Sequence, residues 1–203
     1  MDLKEEILIR SEQLFMKVGI KSVTMDDVSR ELGISKKTLY QHFENKDQLV
    51  DEVVKTHVER ERTCTDEICE GAKDALEEMV RIGVFLASTI EDVSQSTLFD
   101  LQKYHFKTWK ILMSKQDEHI INSIVRNMKK GIGEGHYRKD VNLEVIARIY
   151  AKATYMVVDE MSNPNSKFSR REMIWELHNY HIHSIATPEG LRLWKQYNSE
   201  IKY

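Results

Sequence analysis

Hydrophobic residues recur at every third or fourth position along most of this chain, which is the spacing of amphipathic α-helices. The first predicted helix, over residues 3–18, has one apolar face that carries Leu3, Ile7, Leu14, Phe15 and Val18. Further helices are predicted over residues 46–68, 72–93, 96–104, 106–130, 143–161, 169–186 and 188–201. Because the 203 residues include only 2 prolines and 8 glycines, turn signals for β-structure are scarce. The sequence therefore predicts an all-α fold.

The stretch from Thr24 to Leu49 contains three helix-starting signals close together. Thr24 and Ser35 are good N-cap residues, and Asn45 followed three residues later by a glutamine forms a third capping signature. Gly33 supplies the left-handed turn residue between the first two starts. This order of two short helices, a tight turn and the beginning of a third helix is typical of a helix-turn-helix.

The second of these short helices divides into an apolar side and a polar side. The predicted core of the segment consists of Val28, Leu32, Ile34, Leu39, Phe43 and Leu49. The residues predicted to lie mainly outside this core are Lys36, Lys37, Thr38, Tyr40, Gln41 and His42. Lysine and glutamine donate to base edges in the major groove, while tyrosine and capped helix ends bind phosphates. The alternative is an ordinary surface helix on which Tyr40 merely packs.

Overall charge does not favour nucleic-acid binding, because the net charge is −3. The local charge is positive, since residues 35–46 contain Lys36, Lys37 and Lys46 but only one acidic residue, Glu44. Screening confines electrostatic interactions to about 10 Å at 0.1 M salt, so a small basic surface with acidic flanks is sufficient to dock on phosphates.

The segment VTMDDVSRELGISKKTLYQHFENKDQLV resembles the DNA-binding signature of the TetR family of bacterial transcription regulators. The resemblance implies a three-helix head, an α-helical regulatory body and a homodimer. It also implies that phosphates are contacted by Thr24, Ser35, Tyr40, His42 and Lys46. Ser29 stands where the family commonly has alanine, and Lys37 stands where glycine is frequent. A lysine at position 37 is expected to reach guanine directly.

The same resemblance extends into the second half of the chain. Gly135, Tyr137, Arg138 and Asp140 match a G-x-Y-R-x-D turn that commonly separates two body helices in this family. We therefore predict a helix-turn-helix DNA-binding domain over residues 1–48 and a helical regulatory and dimerisation domain over residues 49–203. The helix over residues 46–68 is predicted to connect them.

Two sets of body residues are candidates for binding. A pocket for an apolar or aromatic small molecule is predicted among Met79, Phe85, Phe106, Trp109, Met113, Tyr150 and Tyr155. Helices that are apolar on two sides need two partners, and the second partner is expected to be another subunit. The predicted dimer surface consists of Tyr150, Val157, Ile174, Trp175, His178 and Ile182. The simpler alternative is that these side chains form the core.

Other chemistries find little support in the sequence. His178 and His181 share a helical face, but no cysteine or carboxylate completes a metal-binding set at the usual spacing. Cys64 and Cys69 match no common disulfide or metal motif. Because motifs of hydrolases, metalloproteases and nucleotide-binding enzymes are lacking as well, we expect no catalytic residue, no metal and no cofactor.

These observations favour a cytoplasmic transcription regulator, without a signal peptide or a membrane span. It is expected to be a repressor that binds a palindromic double-stranded DNA operator as a homodimer and is released by a small-molecule effector. The alternative is a helical protein-interaction module that does not bind DNA.

Overall fold

The computed structural model describes residues 2–91, 94–163 and 165–200. Ten α-helices lie within these ranges, and their only β-structure is an isolated bridge between Tyr137 and Ala186. The helices are α1 (Leu3–Val18), α2 (Met25–Leu32), α3 (Lys36–His42), α4 (Lys46–Gly71), α5 (Ala75–Glu91), α6 (Gln95–Tyr104), α7 (Phe106–Gly133), α8 (Leu143–Ser162), α9 (Arg170–Ile185) and α10 (Pro188–Glu200). The predicted all-α fold is confirmed.

Most helix boundaries agree with the hydrophobic pattern, and the differences have local causes. The α5 helix begins three residues later than predicted because the Asp74 carboxylate accepts hydrogen bonds from the backbone N–H groups of Leu76 and Glu77. The α7 helix continues through Gly131 and Gly133, and the turn is made instead at Gly135, which has φ +80°. The predicted helix ends at residues 93 and 201 lie outside the described residues.

Contacts divide the chain into two compact units. The first consists of Met1–Thr63 together with Asp92–Ser114. Its core joins side chains from α1 to α4 and from α6, including Ile7, Phe15, Val28, Leu39, Phe43, Leu49 and Leu101. The α6 helix therefore packs with α1 in this unit, although it begins far beyond the helix-turn-helix along the chain. The predicted domain boundary after residue 48 stays a prediction.

A buried carboxylate links α1 to α4 within the first unit. Glu12 is buried, and its Oε1 accepts hydrogen bonds from His57 Nδ1 at 2.6 Å and from Arg60 at 2.5 Å. Burial opposes ionisation of Glu12, but the hydrogen bonds and charges of His57 and Arg60 outweigh it and lower the pKa of this carboxyl. The carboxylate is therefore stabilised in its charged form.

We expect Glu12→Gln to destabilise the protein by about 1–3 kcal/mol at neutral pH, because it removes charge-assisted hydrogen bonds from a buried site. The pKa of Glu12 is lower in the folded state than its ordinary value of 4.5. Its contribution is therefore complete above that value and is lost as the pH falls through the lowered folded pKa. Urea unfolding at several pH values checks this, with exposed Glu31→Gln as the control. If the free energies of unfolding of Glu12→Gln and wild type differed as much in acid as at neutral pH, the expected role of the Glu12 carboxylate would be contradicted.

The second unit consists of Cys64–Glu91 and Lys115–Tyr203. Its core includes Leu76, Met79, Met128, Ile182 and Trp194. The predicted turn motif closes this core, because the buried Tyr137 hydroxyl donates to Ala75 O at 3.3 Å or to Asn127 Oδ1 at 3.1 Å. Gly131 lies directly beneath the tyrosine ring, where a Cβ atom would approach Tyr137 Cδ2 to 2.2 Å.

Within the described ranges, no helix is both long enough and apolar enough to cross a membrane.

Candidate nucleic-acid interface

The turn between α2 and α3 is fixed at both ends by backbone hydrogen bonds. Thr24 and Asp27 form a reciprocal capping box at the start of α2. Gly33 adopts the left-handed conformation at φ +65° and ψ +23°, and its N–H bonds to carbonyls in the last turn of α2. Ser35 then caps α3 by accepting a hydrogen bond from Thr38 N at 3.0 Å. The direction of α3 is thus determined by local chemistry.

The α3 helix presents a polar face on this rigid frame. Leu39 is buried within the helix, and Phe43 is buried directly after it, which orients the opposite side outward. Exposed on that side are Lys36, Lys37, Tyr40 and Gln41, while Thr38 and His42 are half-buried. The Tyr40 side chain is 48% exposed, so it does not merely pack against the core.

The predicted DNA-contacting residues differ in how far they are already engaged. Lys36 forms an ion pair with Asp26 at 2.5 Å, which links α3 to α2. In contrast, Lys37, Tyr40 and Gln41 have no hydrogen-bond or ion-pair partner within the part of the chain that the structure describes. A side chain without an internal partner contacts DNA without first breaking a bond, so these three are the best candidates for base and phosphate contacts.

The two capping hydroxyls have a structural role of their own. Thr24 Oγ1 donates to Asp27 Oδ2 at 2.6 Å and accepts from Asp27 N at 3.2 Å. Ser35 Oγ accepts from Thr38 N and lies 2.8 Å from Thr38 Oγ1. Because the Thr24 proton is already donated, a phosphate contact from this side chain requires rearrangement of the capping box. Phosphate binding by Thr24 and Ser35 remains a prediction.

Lys46, the first residue of α4, is half-buried beside the connection between α1 and α2. Its ammonium donates a hydrogen bond to the backbone carbonyl of Lys21 at 3.3 Å. Burial lowers the pKa of Lys46, and the nearby carboxylates of Asp100, Asp47 and Asp27 partly offset this effect. The sequence pattern identified Lys46 but gave no signal for Lys21 or Asp100, since Asp100 lies 79 residues from Lys21 along the chain.

The residues predicted for a ligand pocket are distributed over both compact units. Phe106 is exposed, and Trp109 packs against the core of the first unit, to which Met113 also belongs. The second unit contains the remaining four, which are Met79, Phe85, Tyr150 and Tyr155. Since exposed Phe106 lines no interior surface, the pocket prediction is best carried by the four residues of the second unit.

A buried polar cluster lies on α8 and α9 in the second unit. His178 Nδ1 is 2.8 Å from the carbonyl of Ile174, which can only accept, so Nδ1 carries the proton and Nε2 accepts from the Tyr150 hydroxyl at 3.4 Å. Burial lowers the pKa of His178, and burial with the neighbouring His178 lowers the pKa of His181 to about 3. Both rings are therefore neutral. His181 Nε2 is buried and has no hydrogen-bond partner among the described residues.

The side chains predicted for the dimer surface lie mostly inside the single chain. Tyr150, Val157, Ile174, His178 and Ile182 are buried, and the half-buried Trp175 stacks on Trp194 with ring centroids 5.5 Å apart. These residues form the interior of the second unit, so their apolar character reflects packing within the subunit. Their exposed apolar neighbours on α8 are Val145, Ile149 and Met156, which are better candidates for contact with another subunit.

In the described part of the chain, the cysteines and histidines form no metal-ligand set. Cys69 is buried, and burial together with the Glu78 carboxylate raises the pKa of its thiol to about 11. Among the described residues, no group of three or more histidine, cysteine, aspartate or glutamate side chains is placed to hold a metal ion.

Comparison with known proteins agrees with this geometry. A family model described as bacterial regulatory proteins of the tetR family matches residues 7–53. The chain is 24% identical over 190 residues to the uncharacterized HTH-type transcriptional regulator YvaF of Bacillus subtilis (strain 168), covering 92% of this chain and 97% of that protein. It is 24% identical over 166 residues to the HTH-type transcriptional repressor KstR2 of Mycolicibacterium smegmatis, covering 76% and 77% of the two proteins.

Solved structures show the same fold. A transcriptional regulator from Cytophaga hutchinsonii superposes with a TM-score of 0.72 at 18% identity, covering 90% of this chain and 98% of that chain. The ketosteroid transcriptional regulator KstR2 of Mycobacterium tuberculosis superposes with a TM-score of 0.59 at 17% identity, covering 92% and 96%. The matched residues 7–53 contain the whole helix-turn-helix described above. Residues 7–53 therefore carry the DNA-binding helix-turn-helix of the tetR family of bacterial regulatory proteins, and the chain is similar over most of its length to HTH-type transcriptional regulators.

Proposed function

We propose that this protein is a repressor that binds a palindromic operator as a homodimer and leaves it when a small-molecule effector binds. The observation that carries DNA binding is the exposed face of α3, where Lys37, Tyr40 and Gln41 have no partner among the described residues and stand on a frame capped at both ends. Repression is supported by the KstR2 relatives, which are named repressors.

Dimerisation is proposed because two helix-turn-helix segments about 34 Å apart meet successive major grooves of one palindrome. The candidate surface is the outer side of α8, where Ile149 is 55% exposed and Met156 is 72% exposed. Val145 and Ile149 are four residues apart and Met156 follows seven residues later, so all three lie on one helical face. An apolar stripe of this kind on a soluble protein favours a protein partner.

We expect Ile149→Glu to convert the dimer to a monomer, because it places a charge in an apolar interface. Sedimentation velocity measures the change in mass, and affinity for a full palindrome should fall by about tenfold or more while affinity for a half-site is retained. Val84→Glu is the matched control, since Val84 is an exposed apolar residue on α5. If the Ile149→Glu protein remained dimeric, the interface would have to lie elsewhere on the molecule.

The effector site is proposed around the neutral cluster of Tyr150, His178 and His181. A hydroxyl group of an apolar molecule would satisfy His181 Nε2, which has no hydrogen-bond partner among the described residues, and an unsatisfied buried group of this kind costs about 1–3 kcal/mol. Because both imidazoles are neutral, this cluster does not attract an anionic group. The effector releases DNA only if it binds the DNA-free conformation more tightly than the DNA-bound one.

The α4 helix is the proposed link between effector binding and DNA release. It runs from Lys46 to Gly71 without a break, and it contributes residues to both compact units. A shift of α4 would change the spacing of the two DNA-binding segments in the dimer. Distance measurements between spin labels on the two α3 helices, with and without a releasing effector, test this mechanism. An effector that releases DNA at an unchanged distance would contradict it.

The central experiment is selection of bound sequences from a random duplex pool, followed by affinity measurements at two salt concentrations. A palindromic winner with half-sites about one helical turn apart and salt-weakened affinity is the expected result. The alternative function, a helical interaction module, predicts no enrichment of any duplex.

A further inference from the structure

The connection between α1 and α2 is held in place by α6, which lies far outside the helix-turn-helix in sequence. The buried Asp100 carboxylate on α6 accepts a hydrogen bond from Lys21 N at 2.7 Å. The Thr97 hydroxyl donates to the carbonyl of Phe15 at 2.5 Å, and Ser94 N donates to the carbonyl of Met16 at 2.7 Å. The α6 segment thus binds both the last turn of α1 and the chain that follows it.

The backbone of Lys21 connects α6 to the start of α4. Its N–H is bound by Asp100, and its C=O accepts from the ammonium of Lys46 at 3.3 Å. The N–H and the C=O of Lys21 are separated only by the two rotatable backbone bonds of that residue, so a displacement at one group is felt at the other. A change in the position of Asp100 is therefore transmitted to the atom that orients the Lys46 ammonium.

The connection between α1 and α2 has little free space beside α6. Gly19 adopts φ +87°, and a Cβ atom at this position would lie 2.5 Å from Ser96 Oγ and 3.1 Å from Asp100 Oδ2. The backbone of the connection therefore lies directly against α6. Lys21 is held a second time by its side chain, whose ammonium lies 3.1 Å from the Tyr104 hydroxyl on the same helix.

The charge of Asp100 also acts on Lys46, because it favours the charged form of the Lys46 ammonium. Among the carboxylates that favour the charged form of Lys46, Asp100 has the largest effect, ahead of Asp47 and Asp27. An ammonium close to a buried carboxylate remains charged, and a charged ammonium is the form that binds phosphate.

We propose that Asp100 is a positioning residue for DNA binding, which fixes the Lys21 backbone and thereby sets the place from which Lys46 contacts a phosphate. The proposal rests on the proposed role of Lys46 in the operator complex. It adds a residue of α6 to a DNA-binding surface that the helix-turn-helix pattern confines to residues 24–46.

The test compares full-length Asp100→Ala with wild type by fluorescence anisotropy on the selected duplex, between roughly 50 and 200 mM salt. We expect the Kd to rise about tenfold and the slope of log K against log salt to decrease by about 0.9 per subunit, as for one lost phosphate contact. Removal of a negative charge near DNA would by itself tighten binding, so weaker binding has the sign of lost positioning.

Three further variants separate positioning from charge and from folding. Asp100→Asn keeps the acceptor oxygen and should retain most of the affinity that Asp100→Ala loses. Asp51→Asn removes a charge of the same sign from an exposed position in the same unit and should leave the salt slope unchanged. Asp100→Ser keeps a polar group in the buried site, but its shorter side chain does not reach the Lys21 N–H. It replaces Asp100→Ala if the alanine variant folds poorly, and it should show the same rise in Kd and the same decrease in salt slope.

A double-mutant cycle with Lys46→Ala identifies the route of the effect. If Asp100 acts through Lys46, then Asp100→Ala or Asp100→Ser has no further effect on the Kd in the Lys46→Ala protein. A further tenfold rise in Kd in the Lys46→Ala protein would overturn the positioning role of Asp100 alone. The same conclusion would follow if Asp100→Ala and Asp100→Ser had the Kd and salt slope of wild type. Failure of the wild-type protein to bind any duplex would overturn the proposed function, and this inference with it.

Discussion

Gly190→Ala is expected to lower the stability of the protein strongly, although it adds only one methyl group. Gly190 lies in the first turn of α10, and a Cβ atom there would stand 2.2 Å from the backbone oxygen of His136. That oxygen already accepts a hydrogen bond from Thr187 N at 2.8 Å, so it cannot move away without breaking the start of α10. Overpacking of this kind costs about 3 kcal/mol.

Differential scanning calorimetry of the wild-type and variant proteins measures this effect. For a chain of this size, the expected cost corresponds to a Tm lower by roughly 6–12 °C. Gly133→Ala is the matched control, because Gly133 is also helical and a Cβ atom added there would meet no heavy atom of the described residues within 4 Å outside its own stretch of helix. Alanine there should leave the Tm unchanged or raise it, since it favours the helix by about 0.5–1 kcal/mol. Equal Tm values for the two variants would contradict the close approach at Gly190.

Lys37→Ala is expected to change which DNA sequence the protein prefers. Lys37 is exposed on α3 and has no internal partner in the described part of the chain, so its ammonium is available to a base edge. A specific contact from lysine to guanine O6 or N7 contributes about 1–3 kcal/mol of discrimination. The variant should therefore bind the best sequence about tenfold or more weakly and lose preference at one base pair in each half-site.

Repeated selection with the variant protein shows whether that preference is lost. Lys55→Ala, which removes an exposed lysine from α4, is the control for charge and should select the wild-type sequence. Lys46→Ala and Tyr40→Phe should instead weaken binding to all duplexes about equally, because phosphate contacts carry no sequence information. If Lys46→Ala altered only the preferred sequence, the assignment of base and phosphate contacts would be wrong.

The hydrophobic pattern predicted the helices well because the signals are local. The α1 helix covers the predicted residues 3–18, and α4 and α10 begin at the residues indicated by their capping signatures. Thr24 and Ser35 cap their helices and Gly33 makes the turn as predicted, since each of these roles is determined by backbone conformation within a few residues. The polar face of α3 follows from the same local rules.

Apolar character alone did not distinguish interior side chains from a subunit surface. Ile174 and Ile182 on α9 are buried within the chain, whereas Ile149 and Met156 on α8 are exposed. The sequence places such residues on a helix but does not specify which neighbour covers them. The same reason explains Phe106, which was predicted to line a pocket and is exposed.

The sequence by itself therefore determined the all-α fold, the helix-turn-helix and the exposed polar face of α3, because these depend on periodicity and capping over short distances. Only the tertiary structure decided that α6 packs with the first unit, that Asp100 binds the backbone of Lys21, and that Glu12 is enclosed by His57 and Arg60. These contacts join residues 45 to 79 positions apart. No local pattern encodes such contacts, since they form only when helices distant in sequence meet in the folded chain.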